Sequence, residues 1–247
     1  ANPFRQPARA AASLGNANGA MVYLKEGEYS FGPAPYPPAT ADMRWLTVTA
    51  APGVDRRDVV MNSSVTGGFG NRARLLRLKD ITIKEQPRLT GQYLWFDSCA
   101  VLGDRTANYS IIKAAWAKAY FVTDTYVSDS RNGLRGADFM RNVEHGVISG
   151  SPFGDAPFVV NSTVDRYDNS GTTFHGDVFH WFPTTDDREN YIAYGIRAHD
   201  FGTQGLMAEV ATWSDPQGVR MDNVAIVNVH IDQGIGYAGA AGSWWER

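Results

Sequence analysis

Residues 138–182 read DFMRNVEHGVISGSPFGDAPFVVNSTVDRYDNSGTTFHGDVFHWF, and the spacing of their apolar residues indicates the fold class. It contains three short apolar runs, which begin at Phe139, Phe158 and Asp177 at intervals of 19 residues. Each run is rich in Val or Phe, is strand-like, and is followed by Gly, Asn, Asp or Ser. One such coil cannot bury its apolar residues alone, so a regular spacing of this size predicts a solenoid of stacked β-coils.

The size of the chain predicts one domain. With 247 residues and 43% hydrophobic content, it can bury one continuous core. We expect a single all-β solenoid over residues 1–247. Residues 1–20 form an N-terminal cap with a short Ala-rich helix, residues 21–232 form the coils, and residues 233–247 form a tail or partial C-terminal cap.

Charge and hydropathy exclude several classes of function. The net charge of −3 gives no electrostatic reason to expect nucleic-acid binding. No run of eighteen apolar residues exists, so we expect no membrane insertion. Cys99 is the only cysteine, which rules out an intrachain disulfide without indicating a compartment. The chain has no basic segment followed by an apolar one at its start, as if it were already processed or cut from a longer protein.

Asp and Asn residues recur where the strands are expected to bend. These side chains tolerate bent backbones and can hydrogen-bond to neighbouring coils, so we interpret most of them as turn residues or ladders. The set comprises Asp80, Asp97, Asp124, Asn142, Asn161 and Asn223.

Two stretches near the N-terminus resemble a known family. After the Ala-rich segment come MVYLKEGEYSF (residues 21–31) and WLTVTAAPGVDRRDVVMN (residues 45–62). This order is similar to the start of right-handed parallel β-helix proteins of the pectin-lyase-like superfamily, with the best match over residues 8–62 and a coil rhythm continuing to about residue 232. The resemblance implies the fold, a capping helix and a secreted or cell-surface location. Because the superfamily holds lyases, hydrolases, epimerases, adhesins and phage proteins, it does not select one function.

Three coils carry an acid closely followed by an arginine. If these residues share one face, the carboxylates would hold Ca²⁺ through oxygen, and the arginines would pair with uronate carboxylates. The alternative is a set of solvated surface ion pairs. The expected metal ligands are Asp104, Asp129 and Asp165. The arginines that follow them are Arg105, Arg131 and Arg166, and Arg135, close to the second pair, is a further candidate for substrate binding.

A second cluster contains His175 and Asp177, which strand alternation places on one face, with His180 on the opposite one. It resembles the His-x-Asp rung of several bacterial β-helix carbohydrate enzymes. His199-Asp200 follows His175 by 24 residues, about one coil, so the two sets are expected to stack. An imidazole beside a carboxylate can act as a general acid or base, whereas a buried, hydrogen-bonded imidazole would only be structural.

Aromatic residues near these groups are candidates for stacking on sugar rings. They are Tyr167, Trp181 and Tyr194. Exposed aromatic rings would bind sugars in this way, whereas buried ones would fill the core.

Three functions remain open. The first is a polysaccharide lyase that acts on an acidic glycan by proton abstraction and β-elimination, with His175, Asp177, Arg131, Arg166 and His199 as the catalytic candidates. The second is a non-catalytic glycan-binding or surface-attachment module, which self-associates at its C-terminal end. The third is a glycoside hydrolase with two carboxylates. The catalytic motifs of polygalacturonases and pectate lyases are missing from the sequence, so the residues of those enzymes are not transferred.

Overall fold

The computed structural model describes Pro7 and residues 19–30, 45–62, 75–84, 93–103, 119–134, 136–170, 176–181, 188–200, 204–208 and 221–232. These residues form strands almost throughout. The strands are β1 (Met21–Leu24), β2 (Gly27–Ser30), β3 (Leu46–Ala50), β4 (Val59–Asn62), β5 (Leu75–Lys79), β6 (Thr82–Lys84), β7 (Tyr93–Asp97), β8 (Ala100–Leu102), β9 (Ala119–Thr123), β10 (Tyr126–Ser128), β11 (Phe139–Arg141), β12 (Glu144–Ile148), β13 (Phe158–Val160), β14 (Thr163–Tyr167), β15 (Asp177–Trp181), β16 (Arg188–Ala198), β17 (Gln204–Ala208) and β18 (Met221–Ile231). A short 3-10 helix, Arg56–Asp58, precedes β4, and the Asp55 side chain accepts a hydrogen bond from the Arg57 N–H at its start.

The described strands pair in parallel and confirm a parallel β-helix. The odd-numbered strands β1 to β13 stack to form the first sheet, and the even-numbered strands β2 to β14 form the second. The long strands β16 and β18 bend and contribute to both. A small third sheet consists of β15 and β17.

Apolar side chains from successive coils form an interior column under the first sheet. Each member lies in register with the next, and each is at most 7% exposed. The column runs Val22, Val48, Leu78, Phe96, Val122, Met140, Val159 and Ala193. Burial of a Val, Leu or Phe side chain contributes roughly 1.5–3 kcal/mol, so the stack supplies the coil-to-coil stabilisation that a single coil lacks.

The residues at the bend between the two sheets stack from coil to coil and form a second column. Asp80, Ser98, Asp124, Asn142 and Asn161 take left-handed backbone conformations, with φ between 47° and 55°. The N–H of each donates to a carbonyl of the following coil over 2.8–3.1 Å. Asp and Asn visit this region at lower cost than β-branched residues, so the sequence prediction is confirmed at four of these positions.

The other two predicted residues lie outside this column, although Asn223 is also a bend residue. Asp97 lies one residue before the bend, which Ser98 occupies, and the Asp97 carboxylate instead pairs with Arg77. Asn223 has φ of 55°, but it lies at another corner, where its Nδ2 donates to Oδ1 of Asn190 over 3.1 Å.

The regular spacing holds for one interval and fails for the next. Met140 lies opposite Val159, as the interval from Phe139 to Phe158 predicts. Phe158 lies opposite Ile192, however, and the strand that begins at Asp177 belongs to the third sheet. The coil above β13 therefore contains an additional strand, and the prediction of a second 19-residue coil was wrong.

The predicted end caps fall mostly outside the described residues. Of the N-terminal cap, only Pro7, Gly19 and Ala20 are described, and residues 233–247 are not. Within the described chain, no helix has the length and hydrophobicity needed to cross a bilayer.

Candidate functional site

Three strands of the second sheet bring polar side chains together near the C-terminal end. Val164, Ala198 and Ile231 lie in register on β14, β16 and β18 and are buried. Because strand side chains alternate, the residues that follow them face outward. These are Asp165, His199 and Asp232, which are exposed.

Asp232 lies between two imidazoles. His199 Nδ1 is 3.4 Å from Asp232 Oδ2, and His230 Nε2 is 3.2 Å from Asp232 Oδ1. The N–H of Asp200 donates to Asp232 Oδ2 over 3.3 Å. This backbone contact, together with the charges of His199 and His230, lowers the pKa of Asp232. We call His199, His230 and Asp232 the His–Asp cluster.

Arg166 flanks the His–Asp cluster. Its Nε lies 3.9 Å from Asp200 Oδ2, and its Nη2 lies 3.8 Å from Asp168 Oδ2. The side chain is 57% exposed. Ion pairs that are this long and exposed contribute little to stability, so the guanidinium can exchange them for an incoming anion.

Tyr167 links this surface to a buried contact between Asp177 and His180. Its N–H donates to the Asp200 carbonyl over 3.2 Å, and its ring packs so closely on Gly176 that a Cβ there would lie 2.3 Å from Tyr167 Cε2. Burial and the nearby Asp177 carboxylate raise the pKa of Tyr167. Asp177 is fully buried, and its Oδ2 is 3.3 Å from Nδ1 of His180.

The predicted Arg131 lies on the same side of the solenoid as Asp177. Asn132 Oδ1 accepts a hydrogen bond from Ser151 N–H over 3.1 Å, and Ser151 Oγ accepts one from Asp177 N–H over 3.3 Å. The Arg131 carbonyl approaches Gly150 so closely that a Cβ at Gly150 would lie 2.3 Å from it. The turns of three coils therefore stack here without room for a side chain at Gly150.

Several predicted residues lie apart from the His–Asp cluster. Tyr194 is 46% exposed, but it lies on the first sheet. Asp129 lies opposite Val147 of β12. The exposed Asp165 lies on β14, one coil further on, so Asp129 and Asp165 are two coils apart. His175, Arg135 and Asp104 lie outside the described residues.

Trp181 belongs to the core. It is fully buried, its Nε1 donates to the Ala156 carbonyl over 3.1 Å, and its ring packs between Phe179 and Tyr191. A buried ring has no face available to a sugar, so this placement removes Trp181 from the stacking candidates.

The part of the chain that the structure describes contains no group of three His, Cys, Asp or Glu side chains arranged to hold a metal ion. Asp129 and Asp165, two of the expected Ca²⁺ ligands, lie on coils that are not adjacent. Calcium binding stays a prediction.

Sequence reasoning missed three residues of these sites: His180, His230 and Asp232. His230-x-Asp232 repeats the His-x-Asp spacing of residues 175–177, and this signal could have found the His–Asp cluster. The parity argument separated His180 from Asp177, but their side chains meet across the i,i+3 spacing.

A different feature lies on the outer face of the first sheet. Aromatic side chains from four successive coils share one outward column, which we call the aromatic column: Trp95, Phe121, Phe139 and Phe158. All four are partly exposed. Trp45 packs edge-on against Trp95 at a centroid distance of 5.7 Å, and the Arg77 guanidinium lies 4.2 Å from the Trp95 ring centre.

The chain has no match among protein-family models, curated proteins or solved structures. The chemistry of the site therefore rests on its geometry. An imidazole held by a carboxylate at one nitrogen can take up a proton at the other, and a nearby guanidinium can neutralise a negative charge.

Proposed function

We propose that the protein is a secreted or cell-surface polysaccharide lyase of the pectin-lyase-like superfamily that cleaves an acidic glycan by β-elimination. The observation that carries the proposal is the contact of exposed His199 with Asp232, with the exposed Arg166 beside Asp200, the residue that follows His199. His199 provides a base, and Arg166 provides a cation for the substrate carboxylate. Both residues were also candidates on sequence grounds.

The proposed reaction begins with a uronate carboxylate on the guanidinium of Arg166. Neutralisation of that carboxylate acidifies the proton on C5 of the sugar. His199 accepts this proton at Nε2, while Asp232 stabilises the imidazolium that forms. The electron pair of the C5–H bond forms a C4–C5 double bond, the C4–O bond breaks, and the leaving oxygen takes a proton from water.

The test is incubation with pectate, alginate and other polyuronates while the ultraviolet absorbance of the unsaturated product is followed. We expect an absorbance rise that is lost in His199→Ala and strongly reduced in Arg166→Ala. Arg57→Ala is the matched control, because Arg57 is also an exposed arginine paired with an aspartate, at the other end of the solenoid. An absence of signal with every uronate would refute the lyase.

Calcium is part of the proposal as a cofactor. Removal of Ca²⁺ with a chelator and its return, in the same assay, tests whether bound cation replaces or assists Arg166 at the substrate carboxylate. An Asp165→Asn variant with unchanged calcium dependence would argue against this carboxylate as a ligand.

A second candidate function is glycan binding without turnover, and the aromatic column favours it. Its rings rise one coil at a time, about 4.8 Å apart, and give stacking surfaces along the length of the solenoid. Phe139→Ala should weaken retention on a polysaccharide column but leave lyase activity on short substrates unchanged. Release of reducing ends without ultraviolet absorbance would instead indicate a hydrolase.

A further inference from the structure

The loop between β3 and β4 is longer than its counterparts in the other coils. It has eight residues, 51–58, whereas the connections from β1 to β2 and from β5 to β6 have two. Arg56 fixes this loop in place, because its Nη1 donates to the Ser98 carbonyl over 3.1 Å and its own carbonyl accepts from Thr82 Oγ1 over 3.0 Å. The loop is therefore tied to the two coils that follow it.

This loop and the outward side of the first sheet enclose a pocket of about 540 Å³. Tyr23, Thr49 and Lys79 lie in register on β1, β3 and β5 and line it, together with Pro52 and Gly53 of the loop. Every residue that lines the pocket belongs to the described chain. Its volume falls within the range of small-molecule sites, about 300–1,000 Å³.

Tyr23 presents an aromatic ring to this pocket. The residue is 53% exposed, and its hydroxyl donates to Sδ of Met21 over 3.5 Å. Met21 lines the pocket as well and is 48% exposed. An exposed ring beside a second apolar side chain is a surface on which the C–H face of a sugar can stack.

The charges around the pocket cancel. Two cations and two anions line it, Arg56 and Lys79 with Asp55 and Asp80. Lys79 pairs with Asp80, and Asp55 pairs with Arg57 over 2.7 Å. A charged ligand therefore meets no net field here. The carboxylates keep lone pairs that accept from hydroxyl groups, and an ammonium group has three N–H donors, so the same side chains suit a neutral polyol.

We propose that this pocket binds a neutral sugar, the terminal ring of a short oligosaccharide. Tyr23 stacks on the ring, and Lys79, Asp55 and Asp80 hydrogen-bond to its hydroxyl groups. The pocket lies at the other end of the solenoid from the His–Asp cluster, and its ligand needs no carboxylate. The site is thus separate from the proposed lyase reaction and does not depend on it.

The experiment is isothermal titration calorimetry of the 247-residue chain with cellotetraose, mannotetraose and galactotetraose, and with tetragalacturonate as the charged comparison. We expect a neutral tetrasaccharide to bind and Tyr23→Ala to weaken its binding about tenfold, whereas Tyr23→Phe keeps the ring and the affinity. Tyr194→Ala is the matched control, because Tyr194 is 46% exposed on the same sheet near its other end. His199→Ala should bind as the unsubstituted chain does, even though the proposed lyase would be inactive.

The absence of binding by all three neutral tetrasaccharides overturns the site. Tighter binding of tetragalacturonate that depends on Tyr23 overturns it as well, because the ligand is then an acidic sugar. Equal losses in Tyr23→Ala and Tyr194→Ala would place the sugar on another surface. Met21→Ala decides the question if Tyr23→Ala does not fold: weaker binding supports the site, and unchanged binding overturns it.

Discussion

His199 Nδ1 lies 3.4 Å from Oδ2 of Asp232, although the two residues belong to different coils and are 33 positions apart in the sequence. The stacking of β16 and β18 produces this contact, because Ala198 and Ile231 are in register immediately before the two residues. A rigid backbone on both sides fixes the carboxylate relative to the ring. Asp232 is thus a positioning residue for the proposed base.

Asp232→Asn should lower lyase activity on the order of 100-fold, because the imidazolium loses its negative partner. The substitution should change stability little, since the contacts of Asp232 are exposed. Activity and the urea midpoint are measured on the same preparation. Asp232→Glu keeps the charge and should restore part of kcat, whereas a purely structural role predicts equal activity for both variants.

Residue patterns predicted the fold better than the site. Asp124, Asn142 and Asn161 were recognisable as bends because their side chains tolerate a left-handed backbone. The partner of His199 was not predicted, because the argument relied on a constant coil length and coils vary in length wherever a strand such as β15 is added. A spacing of 24 residues suggested His175 as the neighbour of His199, and His175 lies outside the described residues. The residue that the register places on the next coil beside His199 is Asp232.

Asn161 provides a test of the bend column. It has φ of 47°, and its Oδ1 occupies the space beside Gly195, where a Cβ would approach to 2.6 Å. Asn161→Val should destabilise the protein by about 1–2 kcal/mol, because a β-branched residue is strained in this conformation. Asn161→Gly should cost much less. Urea unfolding measures both.

The control for Asn161 is Thr163→Val, two residues later in the extended strand β14. Valine is well tolerated in an extended strand, so the midpoint should change little. Equal destabilisation by Asn161→Val and Thr163→Val would mean that the left-handed backbone is not the cause.

Cys99 should be unreactive in the native protein. The thiol is fully buried, Sγ lies 3.3 Å from the Leu78 carbonyl, and burial raises the Cys99 pKa to about 12. Because the thiolate is the reactive species, a thiol-specific disulfide reagent at pH 8 should modify the chain only as it unfolds. In denaturant, one thiol per chain should react. A Glu28→Cys variant carries a second, exposed thiol, which should react at once in the native protein. Rapid native modification of Cys99 would contradict the packing of this coil.

His145 should make stability depend on pH in the acid range. The imidazole is fully buried against the Phe153 ring, at a centroid distance of 5.0 Å. Neither ring nitrogen has a hydrogen bond of good geometry, although the backbone of Thr163 and of Pro152 favours the charged form. Burial dominates and lowers the pKa of His145 to about 3.

The direction of the pH dependence follows from the pKa of His145 in the folded and the unfolded state. The folded-state pKa lies below the usual value near 6.5, so the unfolded chain takes up the proton first as the pH falls. The stability is complete above about pH 6.5 and is lost between there and pH 3, by on the order of 4 kcal/mol. His145→Leu cannot bind this proton, so its free energy of unfolding should fall less steeply over the same range. His230→Leu removes an imidazole that is 71% exposed and contacts only the exposed Asp232, so it should change the slope far less than His145→Leu does. Parallel curves for the native chain and His145→Leu in urea titrations from pH 7 to pH 4 would show that His145 is not buried in solution.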